Sequence, residues 1–100
     1  MRPVRLRFSR RAHADIANIH EYIARHNPRA ATAVTAQIQI TSQLLARHPA
    51  LGRETDIPGV RVFSTARYPY LVYHKVQQGE LTVIHVRHGR RDAPTADEFQ

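Results

Sequence analysis

Seven residues near the end of the chain, from His85 to Arg91, hold His85, Arg87, His88, Arg90 and Arg91. Upstream lie Tyr70 and Tyr73 in the run YLVYHKV, and before them Arg61 and Arg67. Histidine and tyrosine can pass protons, and arginine can grip a phosphate through two N–H groups at once. These are the ingredients of metal-free RNA cleavage. Attack by a ribose 2′-hydroxyl on the adjacent phosphate needs a general base, a general acid and cations to stabilise the phosphorane. In that chemistry His85 or His88 and Tyr70 or Tyr73 supply the acid and base, and Arg61, Arg67 and Arg87 the cations. The same tyrosines serve equally as sheet aromatics, and the same arginines as a solvated or partner-binding face.

Other chemistries lack their residues. The chain has no cysteine, so disulfides and thiolate metal sites are excluded. His85 and His88 stand three apart on a strand pattern, which points them to opposite faces, and no His-x-x-x-His pair lies on a helical stretch. No metal site is expected. Ser9, Ser42 and Ser64 belong to no Gly-x-Ser-x-Gly elbow, and no glycine-rich phosphate loop is present. No cofactor is expected either.

The elements that must position these groups are legible in the spacing. Val4, Leu6 and Phe8 alternate with Arg5 and Arg7, the period of a half-buried edge strand. Ser9 offers a cap, and Ala12, Ile16, Ile19 and Ile23 then recur at helical steps, which predicts an amphipathic helix over 10–26. Asn27-Pro28 stops it, and Pro28 suits the first turn of a second helix reaching Arg47, with Ala31, Val34, Ile38, Thr41 and Leu45 on one stripe. Two helices with almost no linker form a hairpin, and each stripe needs a sheet to cover it. The segment 49–59 is a polar connector broken by Pro49, Gly52, Pro58 and Gly59.

Three strands follow, at 60–64, 70–76 and 81–88, the last two joined by the turn Gln77-Gln78-Gly79-Glu80. Local connections of this kind predict an antiparallel sheet. The order β-α-α-β-β-β is therefore an α+β fold of two layers, with the helical hairpin packed on one face of an antiparallel sheet and the other face bare. Strict alternation along the last strand puts Ile84, Val86 and His88 towards the helices and Val83, His85 and Arg87 on the bare face. If Arg61 joins Arg87 there, the two make an anion site.

One hundred residues suit a single domain, 1–100, with 93–100 read as a flexible tail. The chain carries 15 Lys+Arg against 8 Asp+Glu, a formal charge of +7, and Lys75 is its one lysine. An acidic partner is the natural expectation. Arginine excess also accompanies a GC-rich genome. Most acids of the second half lie in Glu54, Asp56 and the tail, which leaves 81–91 purely basic. The first residues are charged but have no apolar signal-peptide core, and no apolar run approaches ~18 residues. A cytoplasmic protein without membrane contact is expected.

Several runs, in this order and spacing, resemble the ParE/RelE toxin superfamily. They are Asp15-Ile16-Ala17-Asn18-Ile19-His20-Glu21-Tyr22-Ile23-Ala24, Asn27-Pro28-Arg29-Ala30-Ala31, His48-Pro49-Ala50-Leu51-Gly52-Arg53-Glu54, Gly59-Val60-Arg61, Tyr68-Pro69-Tyr70-Leu71-Val72-Tyr73 and His85-Val86-Arg87-His88-Gly89-Arg90-Arg91-Asp92. Within the superfamily the long helical hairpin, the Asn-Pro step and the His-Gly-Arg-Arg-Asp run look more like the ParE branch, and no tyrosine follows Asp92 as in RelE-like nucleases.

The resemblance implies a bacterial type II toxin-antitoxin module of the plasmid-stabilisation kind. This chain would be the toxin, neutralised by a cognate antitoxin whose acidic C-terminal segment lays an amphipathic helix on it. ParE-like members poison DNA gyrase by binding, whereas RelE-like members cleave messenger RNA on the ribosome. Under the ParE reading Arg61, Arg67, Tyr70, Tyr73, Arg87, His88, Arg90 and Arg91 contact the antitoxin or the target. Under the RelE reading Arg61, His85, Arg87 and His88 are catalytic. A basic nucleic-acid-binding module without toxicity is the third reading, and direct nucleic-acid contact is compatible with all three.

Overall fold

A computed structural model of the chain describes residues 4–89. Arg90, Arg91 and the tail 93–100, named above, lie outside the described residues. The elements are β1 (Arg5–Phe8), α1 (Arg10–Ala24), α2 (Pro28–Arg47), β2 (Arg53–Glu54), β3 (Arg61–Ser64), β4 (Tyr70–Gln77) and β5 (Glu80–His88). The strands form one sheet in the order β1-β5-β4-β3-β2, and both helices pack on one face of it.

Local chemistry sets the boundaries. The Ser9 hydroxyl accepts from the Ala12 amide at 3.0 Å and donates to the Ile84 carbonyl at 3.2 Å, so a single side chain caps α1 and ties its start to β5. α1 ends at Ala24, two residues short of the predicted limit. Asn27 Oδ1 accepts from the Ala30 amide at 3.0 Å and caps α2, with Pro28 in its first turn. The β4–β5 turn holds Gln78 at φ 50 and Gly79 at φ 76. Two successive positive φ values define the tight hairpin turn whose twist matches its strands, and glycine takes one of them without strain.

The sheet departs from the sequence expectation in two places. It is mixed, because β1 runs parallel to β5, with Leu6 beside Leu81 and Phe8 beside Val83. Hairpin logic covers neighbours in sequence, whereas β1 returns to the sheet only across the whole helical hairpin. The second departure is β2: Arg53 and Glu54, read as connector, pair antiparallel with Val62 and Arg61.

The main core lies between helices and sheet, where Ile38, Leu45, Val72, Leu81 and Val83 are fully buried beneath Ala12 and Val34. Each large aliphatic side chain so buried contributes roughly 1.5–3 kcal/mol of transfer free energy. The face away from the helices is not bare. Val60, Val62, Tyr73 and Ile84 form a second buried cluster there, with Ile57 and Leu71 against it. Among the described residues no helix is long and apolar enough to cross a membrane.

A bulge corrects the predicted faces of β5. The register runs Tyr73 to His85 and then His74 to Val83, which leaves Ile84 as an extra residue. One inserted residue reverses the alternation on either side of it. Val83 and Val86 therefore both face the helices, while Ile84, assigned to that face by strict alternation, packs with Val60 and Val62.

Candidate functional site

β1 stops at Phe8, opposite Val83, and the chain turns into α1. From there α1 rather than a strand flanks the end of β5, and a cleft of about 780 Å³ opens between them. Its walls include Arg11, Asp15, Tyr22, Tyr70, His85 and His88.

Asp15 joins the two walls. Its Oδ2 accepts from the Val86 amide at 3.0 Å and lies 2.6 Å from His85 Nδ1, while Oδ1 accepts from Arg11 Nε at 3.1 Å. The carboxylate thus satisfies a β5 amide that a neighbouring strand would otherwise take. Burial works to raise the Asp15 pKa. The hydrogen bonds from His85 and Val86, the charge of His85 and the Arg11 bond together outweigh it and hold the carboxyl below its usual range.

Arg87 and Tyr73 form the next layer. Both are buried, and Arg87 Nε and Nη2 donate to the Tyr73 hydroxyl at 3.0 and 2.9 Å while Nη1 donates to the His88 carbonyl at 3.1 Å. The His85 ring lies 5.6 Å from the Tyr73 ring. Tyr70 and His88 meet edge to face at 5.4 Å. Burial, with neighbouring Tyr22, pushes the Tyr70 phenol above its ordinary pKa, which makes it a poorer base near neutral pH.

The sequence-predicted set is therefore divided. Tyr70, His85, Arg87 and His88 are brought to the cleft. Arg61 is not. The registers put Tyr73 with Val62 and Leu71 with Ser64 and Arg87, so Arg61, which pairs with His74, lies on the opposite face from Arg87. Its Nη1 donates to the Gly52 carbonyl at 3.0 Å, and Glu54 stands 3.8 Å from Nη2. The anticipated Arg61–Arg87 anion site does not form. His85 and Arg87, expected on an open face, are 5% and 8% exposed. Arg67 sits exposed in the bend between β3 and β4, outside the cleft lining.

Sequence reasoning missed Asp15, and a signal was present. Asp15 falls three after Ala12 and four before Ile19, on the stripe that must face the core, in a half-chain whose only other acid is Glu21. A carboxylate there needs a buried partner. His74 was missed as well. It is fully buried, with Nδ1 3.1 Å from the Val72 carbonyl and Nε2 3.3 Å from the Leu51 carbonyl. His13, His20, His26 and His48 are exposed, as read. Among the described residues no three potential ligands converge as a metal site.

Comparison with known proteins places this geometry in a family. Residues 6–93 match the family described as ParE toxin of type II toxin-antitoxin system, parDE. The Sinorhizobium fredii toxin candidate Y4kP is 30% identical over 90 residues, which span 90% of this chain and 93% of that protein. Among solved structures, one titled as a chromosomal ParDE toxin-antitoxin system from P. aeruginosa superposes with a TM-score of 0.78 at 23% identity, over 85% of this chain and 95% of that one. One from the toxin-antitoxin complex RelBE2 of Mycobacterium tuberculosis superposes at 0.60 with 19% identity, over 88% of this chain and 93% of that one. Both structural likenesses carry the fold, two helices on a five-stranded sheet. With a family match across most of its length and a relative of like size, the chain belongs to the ParE toxins of type II toxin-antitoxin systems.

Proposed function

We propose that this toxin is held inactive by an antitoxin with an acidic segment, and that the released protein inhibits DNA gyrase in the cytoplasm by binding it rather than by cutting RNA. The observation that carries this reading is the division of the catalytic ingredients. Arg61 faces away from Arg87, and both arginines are engaged in structural hydrogen bonds. Cleavage would need those cations converging on one phosphate. A binding role needs only a cleft and a charge, and the +7 chain has both. The two solved neighbours, one from a ParDE toxin-antitoxin system and one from the RelBE2 toxin-antitoxin complex, support a protein antitoxin as the first partner.

The test is purified protein incubated with gyrase and supercoiled DNA. Accumulation of cleaved, protein-linked DNA is expected, and unchanged supercoiling at micromolar toxin would overturn the gyrase target. The second reading, a RelE-like ribosome-dependent endonuclease, draws on the Asp15–His85 pair beside Tyr70 and His88. Rapid transcript loss on induction, abolished by His88→Ala, would replace the first reading with it.

A further inference from the structure

The wall that α1 turns towards the cleft is built as one stripe. Arg11, Asp15, Asn18, Tyr22 and Arg25 succeed one another at steps of four and three, which places them in a row along the helix, and all five line the cleft. The first two are engaged with each other, and Asp15 also with β5. The second half of the row is open. Asn18 and Arg25 are exposed, and Tyr22 is 69% exposed, more than any other large hydrophobic side chain among the described residues. An aromatic ring so placed contributes little to packing within the chain, whereas a planar ligand entering the cleft gains a surface from it.

The open half of the row matches the parts of a nucleotide. Asn18 carries a donor and an acceptor in one planar amide, the pair that recognises adenine through its N6 amino group and N7. Guanine shows two acceptors on the same edge and sets one of them against the amide oxygen. Tyr22 follows about 6 Å along the helix axis and supplies a face on which a base can stack. On the strand wall of the cleft stand Tyr70 and His88, edge to face at 5.4 Å. Arg25 lies about 4.5 Å further along the axis than Tyr22 and offers its guanidinium to a phosphate. Its partner in the structure is Glu21, 3.4 Å away, and both side chains are exposed. So open a pair holds weakly, and a phosphate gripped by two N–H groups competes with it. The carboxylates of Asp15 and Glu21 in the same lining select against a nucleic-acid strand, whose successive phosphates need a track of cations. The volume of about 780 Å³ is that of a site for one small ligand.

We propose that the cleft between α1 and β5 binds a free adenine nucleotide, with the base stacked on Tyr22 and read by Asn18 and the phosphate held by Arg25. Such a site is independent of what the toxin targets, so nucleotide binding and gyrase inhibition are measured separately.

The probe is adenosine 5′-monophosphate added to the full chain. Because the sequence has no tryptophan, Tyr22→Trp places a single indole at the proposed stacking position. Its fluorescence should be quenched saturably by the adenine nucleotide, roughly tenfold less effectively by guanosine 5′-monophosphate, and not at all by ribose 5-phosphate, which has no base. Calorimetry on chains without the indole gives the affinities themselves. Tyr22→Ala, checked for native melting by circular dichroism, should bind the nucleotide roughly tenfold or more weakly than the wild type. Arg25→Gln should lose affinity for the nucleotide while keeping that for adenosine, a split that misfolding cannot imitate. Asn18→Leu should erase the preference for adenine over guanine. The proposal is overturned if the wild type does not bind the nucleotide, or if Tyr22→Ala binds it as tightly as the wild type. Equal affinity of the wild type for the two monophosphates overturns it too, since Asn18 then reads no base. So does a short oligothymidylate that binds as tightly as the adenine nucleotide, because the cleft is then a track for a strand.

Discussion

Asp15 Oδ2 lies 2.6 Å from His85 Nδ1, a contact that joins the first helix to the last strand across seventy positions of chain. The same oxygen accepts from the Val86 amide. One carboxylate therefore closes the open side of β5 where β1 has ended, and it lines the cleft.

Replacing Asp15 should reveal that role. Asp15→Ala removes the acceptor of the buried Val86 amide and of His85 Nδ1, and leaving the amide donor unsatisfied costs about 1–3 kcal/mol. Asp15→Asn keeps one acceptor oxygen and should cost less. Because the folded pKa of Asp15 lies below its unfolded value, its contribution is present above the ordinary carboxylate range and is lost as acid protonates the folded form. Urea midpoints followed from pH 7 down to pH 3 should fall for the wild type and fall less for Asp15→Asn. Parallel curves for the two proteins would refute the assignment.

His74 should impose a pH dependence at milder acidity. Burial lowers its pKa, the carbonyls of Val72 and Leu51 pull the other way, and nearby Arg61 lowers it further. The unfolded chain takes up a proton near the ordinary histidine value of about 6.5, where the folded chain still refuses it. Stability should therefore decline as pH falls below about 6.5 and level off once the folded ring is protonated too. His74→Gln should flatten that slope between pH 7 and pH 5 in urea titrations. A slope as steep as that of the wild type would assign the effect to other histidines.

The elements and the sites differ in how far sequence could reach them. Helix limits follow from Ser9, Asn27 and Pro28, whose cap chemistry acts within three or four residues, and the helical stripes follow from local period. The bulge at Ile84 does not, because Ile, Val and His fit either phase of a strand and only pairing with β4 decides which residue is extra. That single insertion moved Ile84 to the far face. Similarly, Arg61 pairs with His74 through a register set two strands away from Arg87, beyond what alternation within β3 can specify. Asp15 was the exception, visible in principle as an acid on an apolar stripe.

Gly52 offers a sharper structural test. It holds φ +93, and a Cβ built there would come 2.6 Å from the Val62 carbonyl oxygen and 3.4 Å from the His74 ring. The oxygen belongs to the strand that β2 pairs with, so it cannot swing away as a flexible side chain would. Gly52→Ala combines a clash with a left-handed backbone, and a loss of about 1–3 kcal/mol is expected in thermal or urea unfolding. Gly59, at φ +79 with open space around its position, should lose less on the same substitution because strain acts there without a clash. Equal losses at the two glycines would mean that the approach to Val62 is not limiting.

The buried Arg87 and the half-buried Arg61 should respond differently to the loss of their hydrogen bonds. Tyr73→Phe keeps the ring that packs against Val60, Val62 and Ile84 but removes the oxygen that accepts two Arg87 N–H groups. A buried guanidinium that loses such a bond should cost about 1.5–3 kcal/mol, within the range for hydrogen bonds to charged groups. Arg61→Ala removes one bond to the Gly52 carbonyl from a half-buried side chain, and the freed carbonyl can turn to water, so less than about 1 kcal/mol is expected. Chemical denaturation of the two variants side by side measures the difference. If Arg61→Ala proves the more damaging, Arg61 anchors the β2–β3 edge more strongly than its exposure implies. Arg87 would then be held by the rest of its surroundings rather than by the Tyr73 hydroxyl.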